Sequence, residues 1–214
     1  MTLPLSPDEL LTTTRSVRKR LDLDRPVPLE LVRECLEVAV QAPTGSNQQG
    51  WHWLVVTDAG LRARIGEYYK QSYDRYRNSP GYGGRAANHS DERQAVQARV
   101  STSAEYLADR MGDVPVLVLA CITAGEELPA SNQAGLWGSL LPAAWSFQLA
   151  ARARGLGSAW TTLHLRYEKE ISELLGIPPN VRQGVLLPTA YYTGETFKPA
   201  PREPLDTVLH LDRW

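Results

Sequence analysis

The sequence is poor in cysteine, with only Cys35 and Cys121 among its 214 residues. The two cysteines lie far apart and form neither a C-x-x-C motif nor the paired spacing of a zinc site. A disulfide framework and a cysteine-based metal site are therefore not expected. Each cysteine lies in an apolar run, which predicts two buried and unreactive thiols.

An excess of charge is also absent, since 23 basic side chains accompany 24 acidic ones and the net charge is -1. Such a balance does not favour binding to nucleic acid or to an anionic membrane. No apolar run approaches the roughly 20 residues that span a bilayer. The first residues lack the basic and apolar regions of a secretory signal and contain Asp8 and Glu9, so we expect a cytoplasmic protein.

Several motifs of catalysis and ligand binding are missing as well. The histidines, at positions 52, 89, 164 and 210, have no metal-ligand spacing. Neither a G-x-S-x-G turn nor a glycine-rich phosphate loop with a lysine occurs. Gly155 and Gly157 begin a dinucleotide-binding pattern, but Trp160 stands where its third glycine belongs. These absences argue against a catalytic triad, a structural metal and a dinucleotide-binding fold.

The apolar periodicity predicts one domain over residues 1–214, with an element order α, α, β, α, α, β, α, β, α, β and a tail. Because this order is not a regular βαβ alternation, it favours an α+β fold over a doubly wound sheet. Predicted helices cover residues 6–14, 28–41, 58–77, 91–111, 132–154 and 167–175, and predicted strands cover residues 51–57, 114–122 and 181–192. Residues 158–163 are predicted to be a short strand or an extended loop.

Two further stretches have a distinctive composition. Residues 78–90 are glycine-rich and polar, which indicates a loop that could act as a mobile lid. The tail from residue 193 is proline-rich, and its residues 206–211 alternate as a strand does. The tail is too extended to fold on itself, so we expect it to wrap around a neighbouring chain.

Two arginines and a hydroxyl group occur together in the motif Arg15-Ser16-x-Arg18. Guanidinium groups match phosphate oxygens with paired, charge-assisted hydrogen bonds, so this motif is a candidate phosphate site. Two more basic residues follow directly, and a solvated basic turn therefore explains the same spacing.

A polar loop, residues 42–51 (APTGSNQQGW), joins the second helix to the first strand. Its proline and glycines keep backbone amides out of regular β-sheet hydrogen bonding, and its neutral side chains add hydrogen-bond donors and acceptors. Such a loop suits a heteroaromatic ligand that needs hydrogen bonds at its edge but no net charge. An ordinary helix-to-strand connection is the alternative.

Two candidates lie in the last third of the chain. Gly155 is interpreted as a helix C-cap, and the backbone of residues 160–163 could present hydrogen-bond donors to a flat ligand. Arg202, with Lys198 nearby, adds cations in the tail. A lone arginine between prolines is also typical of an ordinary surface.

Together and in this order, the four segments resemble the FMN-dependent nitroreductase family of NAD(P)H oxidoreductases. The resemblance runs from Arg15 to Trp214 through TTRSVRKRL, APTGSNQQGWHWLVV, AARARGLGSAWTTLHL and KPAPREPLDTVLHLDRW. It implies a nitroreductase-like α+β fold in which helices flank a central, mostly antiparallel sheet. It also implies an intertwined homodimer whose C-terminal tail is exchanged onto the partner, with one FMN in each active site at the interface.

The resemblance implies roles for the four segments. In the family, the R-S-x-R motif and a tail arginine hold the flavin phosphate, the polar loop lines the ring from the other subunit, and a backbone N–H, here that of Thr162, points at flavin N5. The chain departs from the family pattern at Thr14, where many members have a further arginine, and at Gly50, where proline is usual. The implied FMN-binding residues are Arg15, Ser16, Arg18, Pro43, Thr44, Ser46, Asn47, Gln49, Trp160, Thr161, Thr162, Leu163 and Arg202.

The implied activity is transfer of electrons from NADH or NADPH, through flavin N5, to a small organic acceptor such as a nitroaromatic or a quinone, with ping-pong kinetics. No side chain is assigned a catalytic role, because the flavin performs the chemistry. Specialised chemistry of the same family (dehalogenation, azoline oxidation or flavin fragmentation) and a non-enzymatic redox sensor are the alternatives. The candidate residues of the acceptor pocket, which simple packing would also explain, are Tyr73, Tyr76, Tyr82 and Trp137.

Overall fold

The structure is a computed structural model that describes residues 2–80, residue 82 and residues 91–214. All six predicted helices are present, and their bounds differ from the predicted ones by at most two residues. The helices are α1 (Pro7–Thr13), α2 (Leu29–Ala39), α3 (Ala59–Arg77), α4 (Asp91–Arg110), α5 (Ala134–Ala153) and α6 (Glu168–Leu175), and the strands are β1 (Trp51–Val56), β2 (Val116–Thr123), β3 (Leu156–Ser158) and β4 (Val181–Tyr191).

The four strands form one sheet in the order β1-β2-β4-β3, and every neighbouring pair is antiparallel. The predicted α+β fold with helices around an antiparallel sheet is therefore confirmed. Strands β2 and β4 occupy the centre and are buried along almost their whole length. The nearly continuous apolar sequence of β2 is typical of such a central strand.

The sheet separates two apolar cores. Alternate residues of β2 face opposite sides, so Leu117 and Leu119 join one core while Val116 and Val118 join the other. Helices α3, α4 and α6 cover the first core, and helices α2 and α5 cover the second. This two-sided arrangement determines which of the candidate site residues can meet within one chain.

Local sequence signals account for the helix ends. Ser6 and Glu9 form a capping box at the start of α1, and the Asp58 side chain caps α3. Gly155, as predicted, follows α5 with a left-handed backbone (φ 78°), and Gly176 ends α6 in the same way (φ 67°). The helix boundaries could therefore be predicted from short-range chemistry.

Of the two alternatives for residues 158–163, the short strand is misplaced, because only Ser158 belongs to a strand. Strand β3 covers Leu156–Ser158, and residues 163–167 form a short 3₁₀ turn. Beyond Ser158 the next ladder position on β4 is Pro188, which has no N–H to donate. Pairing resumes only as an isolated bridge between Thr161 and Leu186.

Residues 206–211, whose alternation is that of a strand, do not form one. The tail contains a short 3₁₀ turn at Leu205–Thr207 and no strand, and every residue from 201 to 214 is exposed. A strand needs a neighbour to complete its hydrogen bonds, and no strand of the described chain lies against this segment. Large apolar side chains such as Leu211 (79% exposed) and Trp214 (101% exposed) are left without apolar cover.

Both cysteines are buried and free, as predicted. Burial raises the pKa of Cys35 to about 11 and that of Cys121 to about 12, which keeps both thiols protonated near neutral pH. Within residues 2–80, 82 and 91–214, no helix is long and apolar enough to cross a membrane. The same residues contain no cluster of side chains that could hold a metal ion.

Candidate functional site

Residues 15–18, the arginine segment, lie beside strand β3. Ser16 forms a parallel bridge with Ser158, and the Val17 N–H donates a 2.8 Å hydrogen bond to the Ser158 carbonyl. Val17 is buried, and a Cβ atom added at Gly157 would lie only 3.0 Å from the Cβ atom of Val17. Glycine at 157 therefore permits the close approach that attaches the arginine segment to the sheet.

An open cleft of about 260 Å³ lies over the arginine segment, and we call it the phosphate cleft. It is lined by residues 15–20, Ser103 and Phe197. The Arg15 guanidinium donates to the Lys198 carbonyl at 2.9 Å, and the Arg18 guanidinium reaches the Ser103 hydroxyl at 3.5 Å. Neither arginine forms an ion pair with a carboxylate of the described chain. The cleft therefore presents cations that an anionic ligand can neutralise.

Tyr69 of helix α3 connects the arginine segment to the stretch after β3. Its side chain is buried, and its hydroxyl lies close to Thr161 and to the Arg18 cation, both of which act on its ionisation. Burial raises the pKa of Tyr69 to about 12, against the opposing effects of Arg18 and Thr161. Burial also lowers the pKa of Arg18. The sequence analysis did not identify Tyr69, because its contacts come from distant segments.

Residues 160–163 lie over strand β4. The Thr161 N–H and hydroxyl both donate to the Leu186 carbonyl, at 3.2 Å and 2.7 Å, which fixes this segment. Thr162 is exposed, and its N–H has no hydrogen-bond partner in the described chain. Trp160 and Leu163 are half-buried beside it. The arginine segment and residues 160–163 therefore come together on neighbouring parts of the sheet.

The polar loop has an unusual backbone. Ser46, Asn47 and Gln49 have left-handed φ values of 50°, 53° and 51°, which non-glycine residues rarely adopt. The Thr44 hydroxyl accepts from the Gln49 N–H at 3.1 Å, and the Gln49 amide donates to the Asn47 side chain at 3.1 Å. Such local strain is typical of ligand-binding loops.

The polar loop borders a second open cavity of about 500 Å³, which it shares with the start of helix α5 and the end of β2. Gly45 donates its N–H to the Ser139 hydroxyl at 3.0 Å. Pro43, Ser46, Asn47 and Gln49 are exposed, and Thr44 is half-buried.

The polar loop and the arginine segment lie at opposite ends of the sheet. Gly50 accepts from Thr123, which pairs with Val181 at the start of β4. The arginine segment bridges Ser158, which pairs with Thr189 near the end of β4. At about 3.3 Å per residue, the run from Val181 to Thr189 spans about 25 Å. One chain therefore does not bring these two segments together.

The predicted tail cation Arg202 lies away from the phosphate cleft. It is exposed, and its guanidinium donates only to the neighbouring Pro201 carbonyl, at 3.1 Å. The tail does reach the cleft earlier, through the ring of Phe197 and the carbonyl of Lys198. The sequence motifs did not identify Phe197, which lies after β4 in an irregular stretch of the chain.

Three of the four predicted pocket residues meet at the end of helix α3. The Tyr73 and Tyr82 hydroxyls are 3.4 Å apart, and the rings of Tyr76 and Tyr82 pack edge to face at 5.2 Å. Burial raises the pKa of Tyr73. Trp137 packs in the second core, on the other face of the sheet. Within one chain it therefore does not join the tyrosines.

The predicted lid over residues 78–90 is described only in part. Asn78 is the C-cap of α3, and its N–H donates to the Asp74 carbonyl. Residues 81 and 83–90 lie outside the described residues.

Comparisons with known proteins show which family and which solved structures the chain is similar to. A family model described as the nitroreductase family matches residues 11–191. A 4-nitrobenzoate reductase of Nocardioides sp. (strain LMS-CY) is 28% identical over 80% of this chain and 74% of its own. A crystal structure of oxidised iodotyrosine deiodinase bound to FMN and 3-iodo-L-tyrosine is 25% identical, covers 92% of this chain and 95% of its own, and has a TM-score of 0.68.

A further solved structure shares the fold at lower identity. The FMN-dependent nitroreductase NfnB from Mycobacterium smegmatis, in complex with NADPH, is 22% identical, covers 96% of this chain and 97% of its own, and has a TM-score of 0.68.

Proposed function

Because the chain belongs to the nitroreductase family, we propose that it binds FMN and uses it to pass electrons from NADH or NADPH to a small organic acceptor. The observation that carries this proposal is the phosphate cleft, where Arg15 and Arg18 have no carboxylate partner in the described chain. The stretch after β3 adds Thr162, an exposed residue whose N–H has no hydrogen-bond partner among the described residues. An FMN phosphate carries nearly two negative charges and matches such a cluster of cations.

The residues present fit the two ends of FMN. Arg15, Ser16 and Arg18 would hold the phosphate, the ribityl chain and the pyrimidine edge, and Arg202 would add a cation from the tail. The Thr162 N–H would donate to N5, with Trp160 and Leu163 beside the ring. When bound, FMN would supply the redox chemistry, accepting hydride at N5 and returning electrons to the acceptor.

Tyr69 keeps two parts of this site in register. Its buried side chain lies close to both Thr161 and Arg18, and so connects the stretch that carries the N5 donor with the cation at the pyrimidine edge. Because Thr161 is itself anchored to Leu186, these groups remain in place before the ligand arrives. Preorganised donors and cations of this kind favour the negative charge that a reduced flavin carries.

We further propose that each flavin site is built from two chains. The polar loop, with Pro43, Thr44, Ser46, Asn47 and Gln49, lies about 25 Å along the sheet from the arginine segment, so it would line the ring of the partner's flavin. The exposed apolar side chains of the tail supply a surface that a second chain would cover.

The tyrosine cluster would form the acceptor pocket. Tyr73, Tyr76 and Tyr82 present rings and hydroxyl groups at the end of α3, which suits a flat aromatic acceptor such as a nitroaromatic or a quinone. Trp137, on the opposite face of the sheet, could join such a pocket only from the partner chain.

The first experiment tests cofactor and turnover together. The purified protein is expected to be yellow, with flavin absorbance bands, and to oxidise NADPH or NADH when nitrofurazone or menadione is added. A colourless protein that does not take up added FMN would contradict the cofactor assignment. A yellow protein that reduces no acceptor would favour the redox sensor.

The second experiment tests the phosphate site. Arg15→Ala and Arg202→Ala are each expected to weaken FMN binding more than tenfold, since a charge-assisted hydrogen bond contributes about 1.5–3 kcal/mol. Arg64→Ala is the matched control, because Arg64 is an exposed arginine that pairs with Glu67 away from the cleft. Unchanged FMN affinity in both Arg15→Ala and Arg202→Ala would place the phosphate elsewhere.

Reductive dehalogenation is the second candidate function. It is favoured by the similarity, over 92% of this chain, to a deiodinase that binds FMN and 3-iodo-L-tyrosine. Release of iodide from 3-iodo-L-tyrosine by the reduced protein, in the absence of nitroaromatic turnover, would select this candidate over the first.

A further inference from the structure

Two arginines enclose an aromatic pair where the chain leaves strand β4. The rings of Tyr192 and Phe197 lie 4.8 Å apart at an angle of 62°. The Arg20 guanidinium lies 4.1 Å from the centre of the Phe197 ring, and the Arg152 guanidinium lies 4.9 Å from it. Both guanidiniums also lie 5.5 Å from the centre of the Tyr192 ring.

Hydrogen bonds hold Arg20 and Arg152 in this position. The Arg20 side chain donates to the carbonyls of Thr193 at 2.6 Å and Thr196 at 2.9 Å. The Arg152 side chain donates to the Tyr192 hydroxyl at 2.7 Å. The turn between the two rings is therefore fastened by arginines from two distant parts of the chain.

Arg152 is a buried cation without an anionic partner. Only 5% of it is exposed, its Nε atom has no hydrogen-bond partner, and neither Arg152 nor Arg20 pairs with a carboxylate of the described chain. A buried unpaired charge is costly. The electron-rich faces of Tyr192 and Phe197 supply the compensating attraction that a carboxylate would otherwise provide.

The same phenylalanine lines the phosphate cleft. Phe197 faces the cleft together with residues 15–20, and the next residue, Lys198, accepts the Arg15 hydrogen bond through its carbonyl. Whatever fixes Phe197 therefore also fixes the position of Arg15 and the direction in which the tail continues toward Arg202.

We infer that Phe197 is a wall of the FMN phosphate cleft, and that Arg20 and Arg152 are positioning residues that hold this wall through cation–π contacts. The inference rests on the proposed function, since it assigns residues to that site. The two cations also add positive potential at the cleft, Arg20 from its lining and Arg152 from behind it. The cleft is thereby shaped before the cofactor binds, and less ordering is required when it does.

Two substitutions of Phe197 distinguish the contribution of its aromatic ring from that of its apolar volume. Phe197→Leu keeps an apolar side chain but removes the ring, whereas Phe197→Trp keeps a face for both arginines. Phe197→Leu is expected to weaken FMN binding about tenfold, and Phe197→Trp is expected to stay within about threefold of the wild type. Titration of the apoprotein with FMN, followed by quenching of flavin fluorescence, measures both.

Riboflavin distinguishes this role from general destabilisation. Riboflavin lacks the phosphate, so the ratio of FMN affinity to riboflavin affinity should fall in Phe197→Leu and be preserved in Phe197→Trp. Arg152→Met, which removes the cation beneath the ring without touching the cleft, should lower the same ratio. Equal losses for FMN and riboflavin, or equal behaviour of the leucine and tryptophan variants, would overturn the inference. Failure of the wild type to bind FMN would instead refute the proposed function.

Discussion

Chains carrying Arg15→Ala and chains carrying Asn47→Gly are expected to restore each other's activity when they are co-expressed. Arg15 lies in the phosphate cleft, and Asn47 lies in the polar loop at the other end of the sheet. Glycine is chosen at position 47 because the backbone there has φ 53°, which glycine adopts without strain. The substitution therefore removes the side chain and leaves the loop in place.

The expected size of the effect follows from the geometry. Because about 25 Å of sheet separates the two segments in one chain, each proposed site takes Arg15 from one chain and Asn47 from the other. Random pairing gives heterodimers in about half of the molecules, and each heterodimer has one intact site and one site with both defects. About one quarter of all sites would then have wild-type composition.

The assay is NADPH oxidation with menadione, normalised to protein concentration, for each variant alone and for the co-expressed pair. The pair is expected to reach about one quarter of the wild-type rate, well above either parent. Co-expression of Arg15→Ala with Arg18→Ala is the control. In the proposed site one chain supplies both arginines, so every site of this pair lacks one of them. A rate equal to the mean of the parents would refute the two-chain site.

Two further predictions concern stability. Burial lowers the pKa of His164 to about 3, and the nearby Glu168 offsets this shift only in part. Below about pH 6.5, His164 therefore binds a proton in the unfolded chain but stays neutral in the folded chain. Stability should therefore fall as the pH drops from about 6.5 toward 3, and His164→Met should flatten this dependence in urea unfolding at pH 7 and pH 4.5; parallel curves would contradict it. A Cβ atom at Gly66 would lie 2.7 Å from the Gly112 nitrogen. Overpacking of this kind costs about 1–3 kcal/mol, whereas replacing a helical glycine by alanine gains about 0.5–1 kcal/mol. Gly66→Ala should therefore lower the free energy of unfolding. Gly138→Ala is the control for thermal unfolding, since nothing lies within 4 Å of that position, and equal melting temperatures for the two variants would contradict the clash.

The helices and the central strands could be predicted from the sequence because their signals are local. Ser6 and Asp58 begin helices through their own side chains, and Gly155 ends one through its left-handed backbone. The predicted strands over residues 114–122 and 181–192 agree with β2 and β4 to within two residues. The motif Arg15-Ser16-x-Arg18 was likewise visible as a group of cations.

The errors lie where the outcome depended on a distant residue. Strand β3 ends at Ser158 because Pro188, thirty positions along the chain, offers no N–H at the next ladder position. Residues 206–211 have the alternation of a strand but no neighbouring strand to pair with in the described chain.

The sequence by itself determined where the helices begin and end, which strands are buried, and which segments carry cations and free amides, because capping, periodicity and residue chemistry act over a few positions. Only the tertiary structure decided which of these segments meet. It joined the arginine segment to residues 160–163, placed Tyr69 and Phe197 beside them, and put the polar loop at the opposite end of the sheet. Such contacts depend on strand pairing and core packing across the whole chain, and no short stretch of sequence contains them.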